Sequence, residues 1–109
     1  MKKIIDKPWG AEVLIEHNEN YTMKILIVNM GEQLSLQYHN NKTETWFIAS
    51  GEGLLILDDI KEEVSSGDSF TIYPKTVHSI IANTDIMIVE AATPELDDIV
   101  RLEDRYGRA

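Results

Sequence analysis

Turn signals recur about every ten residues along this chain and leave only short segments between them. Helical spacing of apolar residues over ten or more positions is absent until a segment near the C-terminus. Short strands joined by tight turns are typical of a sandwich or barrel, so this spacing predicts an all-β fold. The predicted strands include Tyr21–Val28, Gln33–His39, Glu44–Ser50, Gly53–Asp59 and a longer stretch, Ile80–Ala92, that a turn at Asn83–Asp85 interrupts.

Two consecutive predicted strands carry polar residues on a face that the second strand places inside the molecule. Gln37 and His39 occupy alternate positions of the first strand, so their side chains point to the same side. Glu44 in the second strand shares its face with Trp46 and Ile48, which are large and apolar. A carboxylate on an interior face is costly unless it is paired or coordinates a metal. We therefore expect this polar face to line a cavity inside a barrel.

The spacing of these polar residues predicts a metal site. It follows the pattern G-x5-Q-x-H-x4-E-x6-G, which runs from Gly31 through Gln37, His39 and Glu44 to Gly51. A later histidine, His78, completes the set. One amide oxygen, two imidazoles and one carboxylate make a mixed nitrogen and oxygen ligand set that suits a divalent cation.

The composition excludes several classes of protein. A length of 109 residues fits one domain over residues 1–109. The absence of cysteine excludes disulfides, thiolate nucleophiles and zinc–cysteine sites. A net charge of −9 without a basic cluster disfavours nucleic acid and anionic membranes as partners. No segment resembles a signal peptide or a membrane span, so we expect a cytoplasmic protein.

The motif resembles the first conserved motif of the cupins, with Gln37 where histidine is more common. More narrowly, three segments resemble the C-terminal cupin domain of type II mannose-6-phosphate isomerases. They are KPWG (Lys7–Gly10), LSLQYHNNKTETW (Leu34–Trp46) and DDIVRLEDRYGR (Asp97–Arg108). The resemblance implies a single-domain cupin, a double-stranded β-helix or jelly-roll barrel, followed by a short C-terminal helical or irregular segment.

The resemblance also implies an activity and a set of ligands. It implies a metal-dependent aldose–ketose isomerase acting on a sugar or sugar phosphate, in which Gln37, His39, Glu44 and His78 hold the ion. Zinc is the ion that the family favours, while manganese, iron, cobalt and nickel also suit these ligands. A divalent cation polarises the substrate oxygens and stabilises the enediolate that develops.

Three further residues are candidates for catalysis. Glu90 shares a strand face with Ile86 and Ile88 and could act as the base, although a carboxylate at the rim of the barrel is the alternative that we favour. Lys42 could act at the mouth of the pocket or be solvated in its turn. Arg101 occupies the position in DIVR that in these isomerases lies near the sugar.

Departures from the family pattern keep two other functions open. The family usually has a basic and histidine-rich turn after the first two ligands, whereas this chain has Asn40-Asn41-Lys42-Thr43 there, and Thr45 stands where histidine is common. A non-catalytic sugar-binding or regulatory cupin is therefore one alternative. An iron-dependent cupin dioxygenase is the other, since two histidines and a carboxylate can form a facial triad.

The number of apolar residues predicts an assembly. Several strands carry such residues on both faces, more than one small barrel can bury. Open sheet edges also favour pairing, so we expect a homodimer.

Overall fold

The computed structural model describes residues 2–109, and the described chain consists of strands and turns without a helix. Eleven strands form in chain order within residues 2–109. They are β1 (Lys3–Lys7), β2 (Gly10–His17), β3 (Thr22–Val28), β4 (Leu36–Tyr38), β5 (Glu44–Ser50), β6 (Glu52–Leu57), β7 (Ile60–Ser65), β8 (Ser69–Ile72), β9 (His78–Ala82), β10 (Ile86–Ala92) and β11 (Val100–Glu103). The all-β prediction is confirmed.

The strands form two antiparallel sheets that enclose the core. The larger sheet has the order β1-β2-β3-β10-β5-β8, and the smaller one has the order β11-β4-β9-β6-β7. Strict alternation along β5 and β10 produces this arrangement, because every second side chain is buried while those between are exposed or half-buried. Side chains from both sheets meet in one apolar core, which includes Trp46, Ile48, Leu55, Ile80 and Ile88.

The prediction for the C-terminal segment is only partly right. Its helical alternative is wrong, because Val100–Glu103 forms strand β11 along the free edge of β4. Backbone pairing of Val100 with Tyr38 and of Arg101 with Gln37 satisfies the hydrogen bonds of this edge, which a helix would leave open. Beyond β11 the chain is irregular, as expected, and Tyr106 packs against the core.

One predicted strand is shorter in the structure than expected. The segment Gln33–His39 pairs continuously only at Leu36–Tyr38, with an isolated bridge from Gln33 to Ile81.

No helix in residues 2–109 is long and apolar enough to cross a membrane.

Candidate metal centre and its cavity

The four predicted ligands lie together between the two sheets. Gln37 on β4 is paired directly with His78, the first residue of β9. His39 follows β4, and Glu44 is the first residue of β5. All four side chains are buried. The fold therefore brings residues from three strands to one place, as the spacing predicts.

Three ligand atoms converge on a small volume. Glu44 Oε1 lies 3.6 Å from His39 Nε2 and 3.3 Å from His78 Nε2. The two imidazole rings are 5.0 Å apart between centroids. The three ligand atoms all lie within 4.8 Å of one another, close enough for a single ion to contact each of them.

Hydrogen bonds to the backbone fix the tautomers of both histidines. His78 Nδ1 lies 2.9 Å from the carbonyl oxygen of Thr76, and His39 Nδ1 contacts the carbonyl oxygen of Asp98. A carbonyl oxygen only accepts, so each Nδ1 donates, and in a neutral ring Nε2 then carries the lone pair. Backbone carbonyls commonly orient metal-binding histidines in this way.

The resulting cluster holds three lone pairs that face one another. His78 Nε2 is buried and has no hydrogen-bond partner among the described residues. Two imidazole lone pairs directed at a carboxylate repel each other unless a cation lies between them. The donor set of two nitrogens and one oxygen, with the Gln37 amide nearby, therefore fits a divalent metal ion.

Charged groups beside the cluster form a buried network. Lys42 Nζ lies 2.9 Å from Glu44 Oε2 and 3.8 Å from Glu90 Oε2, and Trp46 Nε1 donates to Glu90 Oε1 at 3.2 Å. The preferred interpretation of Glu90 as a rim carboxylate is therefore wrong, because the inward face of β10 buries it. Lys42 is also buried rather than solvated, since its ammonium group reaches inward to both carboxylates.

The network shifts the pKa values of its members in different directions. Burial raises the pKa of Glu90 to about 7, and the negative charge of Glu44 adds to this effect. Burial alone would also raise the pKa of Glu44. Without a metal ion, imidazoles that carry a proton on Nε2 donate hydrogen bonds to this carboxylate from His39 and His78, and together with the charge of Lys42 they hold its pKa well below its usual range. For Lys42 the charges of Glu90 and Glu44 outweigh desolvation, so its pKa is raised.

A cavity of about 480 Å³ opens onto the cluster. Six of the ten basic residues of the chain line it, but only four of the nineteen acidic ones. The basic ones are Lys3, Lys7, Lys24, Lys42, Arg101 and Arg108, and the acidic ones are Glu12, Glu44, Glu90 and Asp97. A chain with a net charge of −9 thus concentrates positive charge around one cavity.

The arginines and lysines around the cavity differ in whether protein groups already occupy their hydrogen-bond donors. Arg108 binds Asp104 through two nitrogens, whereas Arg101 Nε is buried without a hydrogen-bond partner in the described chain. Arg101 is therefore the cavity arginine with donor capacity for a ligand. Lys75 does not line the cavity, and its ammonium group binds the side chain of Asn40.

Two residues that support the site were not predicted from the sequence. The carboxylate of Asp98 accepts hydrogen bonds from the backbone of Asn40, Asn41 and Lys42, while its carbonyl holds His39. Glu12 lies 2.6 Å from Lys24 Nζ in the wall of the cavity. Both depend on contacts distant in sequence, and the DDIVR segment was the one available signal for Asp98.

Comparison with known proteins identifies the family. The sequence matches the family described as "Mannose-6-phosphate isomerase C-terminal" over residues 1–104. The chain belongs to this family. Members of the mannose-6-phosphate isomerase C-terminal family share the cupin fold that the resemblance implied, so both the recognition and the fold class are confirmed.

The curated proteins most similar in sequence include proteins that are not named as isomerases. The chain is 30% identical over 93% of its length to mannose-1-phosphate guanylyltransferase RfbM of Salmonella typhimurium, and covers 22% of that protein. It is 31% identical over 94% of its length to the alginate biosynthesis protein AlgA of Pseudomonas aeruginosa, and again covers 22%. The chain thus spans about a fifth of the length of these relatives.

Solved structures support the fold alone. An RmlC-like cupin from Shewanella frigidimarina superposes with a TM-score of 0.79 at 16% identity, covering 89% of this chain and 87% of that one. Such low identity carries the double-stranded β-helix architecture to this chain but no activity.

Proposed function

We propose that this cupin is a metal-dependent isomerase of a sugar or sugar phosphate. One observation carries the proposal. The two Nε2 lone pairs and Glu44 Oε1 converge on a single point at the base of a cavity that most basic residues of the chain line. A cation at that point and an anionic ligand in the cavity would both be favoured.

The proposed metal is zinc, held by Gln37, His39, Glu44 and His78. When bound, such an ion supplies Lewis-acid polarisation of the substrate oxygens. The residues themselves provide the orientation, because the Thr76 and Asp98 carbonyls keep both imidazoles in the ligating tautomer.

Glu90 is the proposed base. Aldose–ketose isomerisation removes a proton from the carbon next to a carbonyl and returns one to the neighbouring carbon. A carboxyl group whose pKa is about 7 can both accept and return a proton near neutral pH. Trp46 orients Glu90 by donating to Oε1, which leaves Oε2 beside Lys42 as the atom that would carry the proton.

Arg101 and the cavity lysines would bind the anionic part of the substrate. Arg101 on β11 pairs with Gln37 in the backbone register, so its side chain begins close to the proposed metal ligands. Its guanidinium has donors that bind phosphate in a planar, two-pronged geometry. Lys42 already contacts two carboxylates, which favours a role in keeping Glu44 and Glu90 in place.

A sugar-binding cupin without turnover is the second candidate. It is favoured by the names of the relatives, which are guanylyltransferases rather than isomerases. The altered turn at Asn40–Thr43 and Thr45 also points this way. The iron dioxygenase hypothesis has only the triad of two histidines and one carboxylate in its favour.

Proton abstraction in deuterium oxide separates the two candidates. Zinc-loaded protein is incubated with mannose 6-phosphate and with fructose 6-phosphate, and deuterium at C1 or C2 is followed by NMR. We expect incorporation by the native protein. Glu90→Gln should slow it by about 100-fold or more, since general base catalysis contributes on that scale. Affinity for the sugar phosphate, measured by calorimetry, should change much less.

The control is Glu63→Gln, which neutralises an exposed carboxylate on β7 and should leave exchange unchanged. Binding of either sugar phosphate without exchange by the native protein would contradict the isomerase and support the binding module. Neither binding nor exchange would contradict both. Undiminished exchange in Glu90→Gln would assign the base to another residue.

A further inference from the structure

A second group of charged side chains lines the cavity on strands β1, β2 and β3. It consists of Lys7, Glu12 and Lys24, none of which belongs to the metal cluster. Glu12 Oε1 lies 2.6 Å from Lys24 Nζ, and Glu12 Oε2 lies 3.8 Å from Lys7 Nζ. A single carboxylate thus pairs with two ammonium groups in the cavity wall.

Glu12 occupies an unfavourable place for a carboxylate. In the antiparallel register it lies between Ile5 on β1 and Leu26 on β3, and only 12% of its side chain is exposed. The side chain of Lys24 is similarly buried, at 11%. Burial of a carboxylate is costly unless cations or hydrogen-bond donors compensate it. The two lysines therefore stabilise the Glu12 carboxylate in the wall.

This group lies within reach of a ligand at the candidate site. Lys24 is paired in register with Glu90, the proposed base, and both residues line the cavity. Residues paired directly across two strands have Cβ atoms about 5 Å apart. A sugar with its reacting carbons beside Glu90 would therefore extend its other end along the wall that contains Lys24 and Glu12.

The chemistry of the group is that of an anion subsite in which the protein supplies the anion. Carboxylate and phosphate groups accept hydrogen bonds from the same charged donors. A phosphate that binds Lys7 and Lys24 must compete with the Glu12 carboxylate, and the two negative charges repel each other at short range. A sugar hydroxyl is uncharged and can donate to the same carboxylate instead.

We propose that Glu12 is a specificity-determining residue, an internal counter-ion of the two lysines that weakens the binding of phosphorylated sugars relative to neutral ones. The inference rests on the proposed function, because it assumes that the cavity binds a sugar. Arg101 Nε, by contrast, has no hydrogen-bond partner among the described residues. Glu12 therefore directs an anionic group towards Arg101 and leaves the wall of β1 to β3 to hydroxyl groups.

Titration of the zinc-loaded protein with mannose 6-phosphate and with mannose tests the proposal. Dissociation constants are taken from NMR spectra of the backbone amides, so weak binding is measured without any need for turnover. Glu12→Gln should bind mannose 6-phosphate at least tenfold more tightly than the native protein, because charge-assisted hydrogen bonds contribute on that scale. The constant for mannose should change much less. The gain should shrink at high salt.

Two kinds of variant serve as controls. Glu63→Gln makes the same change of charge at an exposed residue of β7 and should leave both constants unchanged, which excludes an effect of net charge. Adding Lys24→Gln to Glu12→Gln should abolish the gain, because the freed ammonium group is then absent. If that double variant does not fold, Lys7→Gln combined with Glu12→Gln makes the same comparison.

The outcomes separate this proposal from the proposed function. If the native protein binds mannose 6-phosphate and Glu12→Gln binds it equally or more weakly, the role of Glu12 is overturned and the isomerase proposal is unaffected. A gain that persists in the double variants would overturn the role of Glu12 as well. Absence of binding in both the native protein and Glu12→Gln would contradict both proposals.

Discussion

At the residue scale, Asp98 links the C-terminal segment to the candidate metal site. Its carboxylate accepts three backbone hydrogen bonds from the turn that joins β4 to β5, at residues 40, 41 and 42. Its carbonyl oxygen accepts from His39 Nδ1. One residue thus fixes both the tautomer of His39 and the turn that leads to Glu44.

The hydrogen bonds of Asp98 predict a pH-dependent stability. The amides of Asn41 and Asn40, with a smaller effect from Lys42, hold the pKa of Asp98 at about 2. The ordinary value is about 3.9, so the ionised carboxylate stabilises the folded state above that pH and loses this effect as pH falls through about 2. Asp98→Asn should therefore lower the melting temperature at pH 5 to 7, and the difference should vanish near pH 2.

Melting temperatures between pH 2 and pH 7 provide the measurement. Asp59→Asn, in the exposed turn between β6 and β7, is the control and should follow the native curve. A pH-independent difference between native protein and Asp98→Asn would mean that the carboxylate charge is not the source of the stability.

At the element scale, β5 and β10 each have two functions on opposite faces. Glu44, Trp46 and Glu90 point towards the cavity, while Phe47 and Val89 point to the outer side of the sheet. Because side chains alternate strictly along a strand, a shift of one residue would exchange the two sets. Register is therefore the property of these strands that the site depends on most.

Close approach of two turns helps to set this register. Gly51 between β5 and β6 has φ of 96°, and a Cβ there would lie 2.2 Å from the carbonyl oxygen of Asp85 in the turn before β10. Gly67 has φ of 94° but open space around its Cα. The two glycines thus share a left-handed backbone and differ in their surroundings.

Alanine substitution at each glycine separates the two effects. Gly67→Ala should cost about 1 to 2 kcal/mol for the left-handed conformation alone. Gly51→Ala should cost that amount and about 1 to 3 kcal/mol more, because the backbone must move away from the new methyl group. Urea denaturation measures both free energies of unfolding. Equal losses would show that the two turns can separate freely.

At the scale of the whole molecule, charge is distributed unevenly. Most basic side chains converge on the cavity, and most acidic ones lie elsewhere on the surface. The cavity also contains the cluster of three lone pairs. The folded state should therefore bind a divalent cation that the unfolded chain does not hold in the same geometry.

Binding of this kind raises thermal stability. Zinc at about 100 times its dissociation constant adds about 2.7 kcal/mol, which corresponds to a shift on the order of 10 °C for a chain of this size. We expect this shift for native protein depleted of metal and for His17→Ala, whose histidine contacts Thr22 outside the cluster. His78→Ala should lose most of it. Equal shifts in His78→Ala and the native protein would exclude this cluster as the site.

The sequence by itself determined the fold class and the residues that meet at the candidate site. The predicted turns at Asn40–Thr43 and Asn83–Asp85 fall between strands of the structure, because asparagine and aspartate interrupt apolar runs that are too short for helices. Alternation placed Glu44 on the same buried face as Trp46 and Ile48, which the structure confirms. Such local patterns need only the neighbouring residues to be interpreted.

Only the tertiary structure decided the surroundings of the site. Lys42, in a polar turn, and Glu90, near the end of its strand, are buried because they meet each other and Glu44 from three separate positions in the chain. The C-terminal segment became a strand because β4 offered it an unpaired edge. Each of these outcomes depends on partners that are distant in sequence, and burial and hydrogen-bond satisfaction are determined by those partners rather than by local propensity.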